Sequence, residues 1–471
     1  MQAKIKEIDA KYFGMTEEEM IQNAGKAVAS WVQSYVESRK FKKTSIGIIC
    51  GLGKNGADGL STAIELNKLN SSLKINVYVI GRKQSFKSRE SLPFYEQVKK
   101  LSINLTNINL HHDSFAKDIM PADIMIEALL GSGRKGGLRK RFKDVINKLS
   151  RLKAYKIALD CPVPGYKHDT VLSLITPKLK NSVVLDIGLP KEVDNYIGPG
   201  LIHSLYIPLK SAYKGVTGEL FVFGGSELFH GAPIMSIKAA SKFIGGVFFY
   251  THPENRNLIK EQKAKVQEYI SLRNSDIEKY ADYADVFLAG PGLEENLLNE
   301  ALLTYLLNKY PEKVFILDAY AIALANPKRN NQNLRGYKNC ILTPHRGELR
   351  HVFEDVKIEG LEGKLKRFAI ENECHVLLKG SVDLLFSRTG EVKMNTTGNQ
   401  GMAKGGTGDV LAGVIAALAC KNDPWMALQA GVFISGLAGD LAKTKYGYNY
   451  SATDEIPFLQ EAYQRSLSYA G

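Results

Sequence analysis

Disulfide and zinc chemistry are what this sequence is least equipped for. Its five cysteines, Cys50, Cys161, Cys340, Cys374 and Cys420, are scattered through 471 residues, odd in number and never spaced as CxxC, so neither a disulfide frame nor a zinc site is implied. A reducing compartment is expected. The charged start MQAKIKEIDAKYF lacks the apolar core of a signal peptide, which adds to the expectation of a cytoplasmic protein. Long apolar runs are missing too. The longest uncharged stretch near the end, PWMALQAGVFISGLAG from Pro424, stops at Asp440, short of the roughly 18 to 20 residues that span a bilayer. No membrane anchor is expected, and there is no internal repeat or low-complexity tail.

What is present reads as soluble and globular, with 44% hydrophobic and 24% charged residues. The length exceeds one ordinary core and points to two domains. The net charge of +13 is uneven, because residues 1–200 hold 32 Lys and Arg against 20 Asp and Glu, leaving 30 against 29 for the rest. A basic half suits nucleic acid or an anionic ligand. Here the basic residues are interspersed, apart from clusters such as GRKQSFKSR and RKGGLRKRFK, so a solvated lysine-rich surface is the simpler reading and no nucleic-acid partner is expected.

In the first 200 residues, short β-branched runs alternate with helical patterns. TSIGIIC, KINVYVI, ADIMIEA, YKIALD and SVVLDIG are candidate strands, and DGLSTAIELNKLN is an amphipathic helix between the first two. Successive βα units imply a mostly parallel sheet covered on both faces. Thr16 precedes three glutamates and a helical pattern, as an N-cap would. The pattern pauses at IGPGLIHSLYIPLKSAYKGVTG, and the domain boundary is placed near residue 208. A second alternation of strands and helices follows from GELFVFGG to a helical end.

The second half carries GGTGD, Gly405 to Asp409, against VLAGVIAALA, a helix without a charge and so expected to be buried. Glycines let backbone N–H groups converge on an oxygen with no Cβ in the way, and a helix start adds partial positive charge. Such a turn suits a phosphoryl group in transfer. Asp409 then either takes the proton of an attacking hydroxyl as general base or simply sits at a helix start that favours acidic residues. LLKGSVDLL places Lys379 and Gly380 at a strand end, and ILTPHRGEL places His345 at another. Ligands in open α/β sheets bind outside the carboxyl ends of strands, where these fall. His345 alone would more often be a structural histidine.

Taken in order, KGVTGELFVFGGSELFHGAPIMSIKAA, LAGPGL, ILTPHRGEL, LLKGSVD and GMAKGGTGDVLAG resemble the ADP- or ATP-dependent NAD(P)H-hydrate dehydratase family, over nearly all of residues 209–471. The resemblance implies a ribokinase-like α/β/α sandwich. By that resemblance Asp409 is the base, and Gly405, Gly406, Thr407 and Gly408 form an anion hole. Ala232, Gly292 and His345 contact the hydrated nicotinamide of NADHX or NADPHX. Lys379, Gly380, Ser381, Val382 and Asp383, with Gly408, hold the adenine nucleotide, ADP or ATP, accompanied by Mg²⁺. The implied reaction phosphorylates the 6-hydroxyl and then loses phosphate. Two departures stand out: Tyr320 where the family has an acidic residue, and Arg346 where it has proline. They leave open another ribokinase-like kinase acting on a small hydroxyl.

In the first half, Gly51, Gly53 and Gly56 satisfy GxGxxG after a strand. For a Rossmann dinucleotide site the next strand should end in an acidic residue, but it ends in Gly81, Arg82 and Lys83, and Arg82 would instead suit a 2'-phosphate. The longer pattern, with MIQNAG, IEALLGSG, LDCPVPG and VVLDIGLP, resembles the NAD(P)H-hydrate epimerase family and implies a Rossmann-like three-layer sandwich over residues 1–208. That resemblance puts Asn55, Gly56 and Asp58 in a substrate loop and Asp160 at the epimerising carbon. It also implies K⁺ held by Asn55 and Glu127. Glu127 stands for the family's aspartate, Val163 and Pro164 replace its serine, and Lys54 replaces the first asparagine of the loop. The Lys54 ammonium is a fixed monovalent cation. This half is therefore read as a K⁺-independent epimerase or a degenerate binding domain, and the whole chain as a homo-oligomer.

Overall fold

A computed structural model describes residues 2–39, 44–81, 91–108, 118–131, 138, 140–213, 215–263, 266–325, 339–351 and 360–469. Arg82 and Lys83 lie outside them, and the 2'-phosphate reading with them. The chain divides into two compact units, Met1–Pro190 and Lys191–Gly471.

The first unit is built on a seven-stranded sheet: β1 (Ser45–Cys50), β2 (Lys74–Ile80), β3 (Asn104–Ile108), β4 (Ile124–Ala128), β5 (Tyr155–Leu159), β6 (Thr170–Leu174) and β7 (Val183–Leu185). The order is β3-β2-β1-β4-β5-β6-β7, and every pairing is parallel. Two-residue periodicity divides the core. Ile48, Val77, Ile126 and Ile157 pack on one face with Val28 and Leu60 of the helices Glu17–Ser38 and Lys54–Leu69. Ile49, Tyr78, Met125 and Ala158 pack on the other with Val145 and Leu149 of Lys140–Arg151, so both faces are covered. Thr16 is the expected N-cap, and it forms a reciprocal capping box with Glu19. β3 and β6 were not flagged by the sequence pattern. NLTNI is polar at two of its five positions through asparagine, a residue depleted in strands, and neighbouring pairing overrides that weak propensity.

The second unit holds nine strands: β8 (Glu219–Phe223), β9 (Gly246–Tyr250), β10 (Ile270–Ser271), β11 (Val286–Ala289), β12 (Val314–Leu317), β13 (Cys340–Leu342), β14 (His375–Leu378), β15 (Asp383–Phe386) and β16 (Val392–Asn395). Their order is β10-β9-β8-β11-β12-β13-β14-β15-β16. All pairings are parallel except β14–β15 and β15–β16. Phe221, Phe287 and Phe315 lie within the core, the last two stacked at 4.6 Å. The helix Thr407–Ala419 carries no charge after Asp409 and is buried at Val410 and from Ala412 to Ala419, as expected. Gly413 lets it close on the helix Gly231–Ala240, since a Cβ there would lie 2.3 Å from the Ser236 carbonyl oxygen.

Two expectations are corrected. The boundary falls at Pro190 rather than near 208, because residues 191–204 pack into the second unit: the Ile197 N–H donates to the Met394 carbonyl (2.8 Å), and the Lys393 ammonium donates to the carbonyls of Val193 (3.3 Å) and Asp194 (2.6 Å). Of the glycines and prolines that suggested the boundary, Pro199 and Gly200 belong to a 3₁₀ turn, Pro199–Ser204, lying on the last helix, Phe458–Ser468. The helix from Pro424 also runs on past Asp440 to Tyr446. Its 23 residues are long and apolar enough to cross a bilayer, but 83% of its most apolar window is buried inside the protein. Burial, not length, marks it as a core helix. All five cysteines are free thiols.

Candidate active site

In the second unit, β12, β13 and β14 end side by side and present Asp318, His345 and Lys379 at their carboxyl edge. The Lys379 N–H donates to the Pro344 carbonyl (2.9 Å), and His345 and Lys379 form a parallel bridge. The turn before the helix Thr407–Ala419 faces this edge. Gly406 has φ +99°, open to glycine, and the Thr407 hydroxyl closes the turn by donating to the carbonyls of Met402 (2.8 Å) and Lys404 (2.9 Å). Gly408 leaves room for the lysine, whose Nζ lies 3.4 Å from where a Cβ would stand. First-turn N–H groups of a helix have no intrahelical acceptor, so this turn can receive an anion.

Asp409 lies in that first turn, and its backbone carbonyl accepts the Ser236 hydroxyl (2.8 Å). Burial, with Asp318 and Glu348 nearby, lifts its carboxyl to about 7 against the pull of Lys379 and of its own backbone N–H. A carboxylate in that range is poised as a general base near neutral pH, a stronger role than dipole preference alone requires. Burial works against the charge of Lys379, but Asp318, Glu348 and Asp409 hold its ammonium above the ordinary value. Its nearest partner is the Asp318 carboxylate, at 2.8 Å.

The other expected residues fall around this centre. Gly292 (φ +69°) would bring a Cβ to 2.1 Å from the Phe229 carbonyl oxygen and 3.3 Å from the Ala232 methyl, so Ala232 and Gly292 adjoin. They lie where β8 and β11 neighbour each other, the point at which strand order reverses. His345 is exposed, unlike a structural histidine. Its Nδ1 accepts the Gly347 N–H (2.9 Å), and the His345 backbone N–H donates to Glu348 (2.8 Å). The Gly380 N–H donates to Asp383 (3.0 Å), and burial raises that carboxyl despite the bonds from Gly380 and Asn395. Ser381 and Val382 occupy the exposed tip between them. The Tyr320 hydroxyl donates to Glu300 (2.5 Å), and Arg346 is exposed. Asp318, Thr343 and Glu348 were missed, although LDAY and ILTPHRGEL contain them.

In the first unit, the end of β1 and the helix Lys54–Leu69 meet the ends of β4 and β5 where strand order reverses. Gly51 and Gly56 are required there, since a Cβ on Gly51 would lie 1.9 Å from the Leu129 carbonyl oxygen and one on Gly56 2.0 Å from the Gly51 carbonyl oxygen. Asn55 is buried, its amide donating to the Leu159 carbonyl (3.3 Å) while Oδ1 has no partner among the described residues. Asp160 sits at φ +59°, and its Oδ1 accepts the Leu174 N–H and the Lys178 ammonium, both at 3.2 Å. Burial, then Asp160, Glu7 and Glu17, hold the Asp58 carboxyl well above the usual range, with Lys54 opposing. Glu127 is fully buried and accepts the N–H groups of Leu129 (2.8 Å) and Val163 (3.2 Å), with burial pushing it to about 7. Lys54 pairs with Glu17 (2.7 Å), which also meets Lys11 (2.5 Å). Glu7, Glu17 and Lys178 were not foreseen, because only the folded chain carries the first helices to the loop.

A mostly parallel sheet with a glycine turn, an acidic helix start and a lysine at its carboxyl edge defines the second unit as a ribokinase-like fold. A ribokinase-like superfamily protein of Enterococcus faecalis resembles it with a TM-score of 0.51 at 25% identity, covering 58% of this chain and 96% of that one. The family model for NAD(P)H-hydrate dehydratase matches residues 220–460, and that for the YjeF-related protein N-terminus matches residues 17–192. The bifunctional NAD(P)H-hydrate repair enzyme of Archaeoglobus fulgidus is 31% identical, covering 99% of this chain and 98% of that protein. The protein of the same name from Methanocaldococcus jannaschii is 30% identical, covering 97% and 92%. The chain belongs to the family of bifunctional NAD(P)H-hydrate repair enzymes.

Proposed function

We propose that the second unit dehydrates the S form of NADHX or NADPHX, spending one phosphoryl group of ADP or ATP. The observation that carries this reading is the Asp409 carboxyl, lifted to about 7 beside a glycine turn open to phosphate. Asp409 takes the proton of the 6-hydroxyl as its oxygen attacks phosphorus, and the nucleotide leaves one phosphate shorter. The ring nitrogen's lone pair then expels the new phosphate, and a proton lost from the neighbouring carbon restores the double bond. Amides of the Gly405–Gly408 turn and the Lys379 ammonium balance the charge on the group in transit. Ala232, Gly292 and His345 border the hydrate; Gly380 to Asp383 border the nucleotide. Mg²⁺ would arrive with the phosphoryl donor and offset the charge of its phosphates, needing few ligands from the protein.

The test supplies the S hydrate with ADP or ATP and follows both the return of reduced-nicotinamide absorbance and the release of phosphate. A stable phosphorylated product without that return would instead support a small-molecule kinase, the reading that Tyr320 and Arg346 favour.

The first unit is proposed to epimerise the R hydrate to the S form, with Asp160 at the reacting carbon and Asn55, Gly56 and Asp58 around the ring. For K⁺, the orphaned Asn55 oxygen fits a cation. Glu127 can join only when ionised, and both its oxygens already accept backbone N–H groups. Lys54 is committed to Glu17 and tempers the carboxylates Glu7 and Asp58, so the domain is proposed to turn over without K⁺. Full-length protein given R hydrate in Na⁺ and in K⁺ buffer decides: a rate that appears only with K⁺ returns Asn55 and Glu127 to the family's role, and no turnover in either buffer marks a binding domain. A homo-oligomer in the cytoplasm completes the proposal, the assembly to be read by light scattering.

A further inference from the structure

Asp318 is 3% exposed at the end of β12, yet its Oδ1 accepts two donors, the Lys379 ammonium at 2.8 Å and the Thr343 hydroxyl at 2.7 Å. Two backbone devices bring it there. Gly290 has φ +124°, and a Cβ on it would lie 1.8 Å from the Asp318 carbonyl oxygen, so glycine alone permits this approach of β11 to the end of β12. Ala319 is held at φ +47°, a left-handed conformation that strains a non-glycine residue and persists only where its surroundings demand it. The lysine so tethered reaches the space that Gly408 leaves open beside Asp409.

The charged groups acting on Asp409 are Asp318 from β12, Glu348 from the turn after β13 and Lys379 from β14. His345 adjoins Glu348 at 3.5 Å. The packed helix Gly231–Ala240 offers only the Ser236 hydroxyl, and Glu455, from the short helix Ala452–Glu455, accepts from Ser435 instead. Asp318 and Lys379 therefore press on the base with opposite signs.

We propose that Asp318, oriented by Thr343, is a positioning residue: it anchors the Lys379 ammonium over Gly408, where the phosphoryl group passes, and with Lys379 balances the charge around Asp409. This rests on the dehydratase reading. A purely structural salt bridge would matter for folding alone. The proposed role makes two substitutions at one ion pair move the same titration in opposite directions.

The experiment measures kcat and KM of full-length protein for the S hydrate with ATP or ADP, from about pH 5.5 to about 9. Asp318→Asn removes a negative neighbour, so the acid limb of kcat/KM moves to lower pH, while kcat on the plateau falls about 10- to 100-fold through lost positioning. Lys379→Met moves the limb to higher pH, and the double variant returns it between the two. Thr343→Val keeps both charges, so the limb stays and kcat falls several-fold with KM little changed. An unmoved limb in both charge variants overturns the proposal, even if their melting temperatures drop. Should Asp318→Asn not fold, an unmoved limb in Lys379→Met together with unchanged kcat in Thr343→Val overturns it just as well. Wild-type protein that restores no reduced-nicotinamide absorbance at any pH defeats the dehydratase reading itself, and the inference with it.

Discussion

Replacing Asp409 by asparagine keeps the shape of the side chain and removes its charge and its capacity to take a proton. Loss of a general base costs about 10²- to 10⁴-fold in rate, or about 3 to 5 kcal/mol in the transition state. The same burial gives a second effect of opposite sign. The carboxyl rises from an ordinary 3.8 to about 7, which at 1.36 kcal/mol per pH unit amounts to about 4 kcal/mol between the two protonation states. Because the folded-state value lies above the unfolded one, the contribution to stability is complete below about pH 4, declines as pH rises and is gone above about 7. Water reaching the partly accessible carboxyl trims the figure to about 2 to 4 kcal/mol. Asparagine carries no such ionisation cost.

Asp409→Asn should therefore lose nearly all S-hydrate dehydration and bind nucleotide almost as before. Its second unit should melt several degrees higher at pH 8, a gain that vanishes near pH 4. The wild type should run about tenfold slower at pH 6 than on its alkaline plateau, since only about a tenth of a base of this kind is ionised one pH unit below its midpoint. Absorbance assays, titration calorimetry and thermal unfolding across pH read all three. A variant that kept more than about a tenth of the activity, or one that melted lower at pH 8, would refute the assignment of Asp409 as a buried base.

Other substitutions probe separate links. Gly408→Ala places its methyl 3.4 Å from the Lys379 nitrogen, ordinary contact, so the protein should fold with an almost unchanged melting temperature while kcat falls about tenfold or more; unchanged kcat would argue against a phosphoryl group passing there. Gly413→Ala drives a Cβ to 2.3 Å from the Ser236 carbonyl oxygen and should destabilise the second unit by about 1 to 3 kcal/mol, measured by denaturant unfolding. Thr16→Ala removes a capping box and should cost about 1 kcal/mol, seen as faster hydrogen exchange in the helix Glu17–Ser38.

Much of the fold could be read along the chain, because period-two and period-3.6 patterns are local properties. The strands after Thr44, Lys74 and Gly218, the buried helix after Asp409 and the Thr16 cap all lie where those patterns put them. β3 escaped notice, since this edge strand carries polar residues and owes its conformation to a neighbour. The boundary was misjudged for a related reason: glycine and proline mark turns, and a turn packed onto the second unit looks like a linker in one dimension.

For the site, GGTGD, LLKGSVD and ILTPHRGEL already supply glycines for an anion turn, a cation and a carboxylate. The sequence by itself determined that chemistry, since glycine geometry and side-chain acidity are intrinsic. Only the tertiary structure decided that Asp318 meets Lys379 and Thr343, and that Glu17 takes Lys54 while Lys178 takes Asp160. Which charges face one another, and therefore which carboxyl is lifted toward neutrality, depends on burial and on distances between strand ends far apart in the chain.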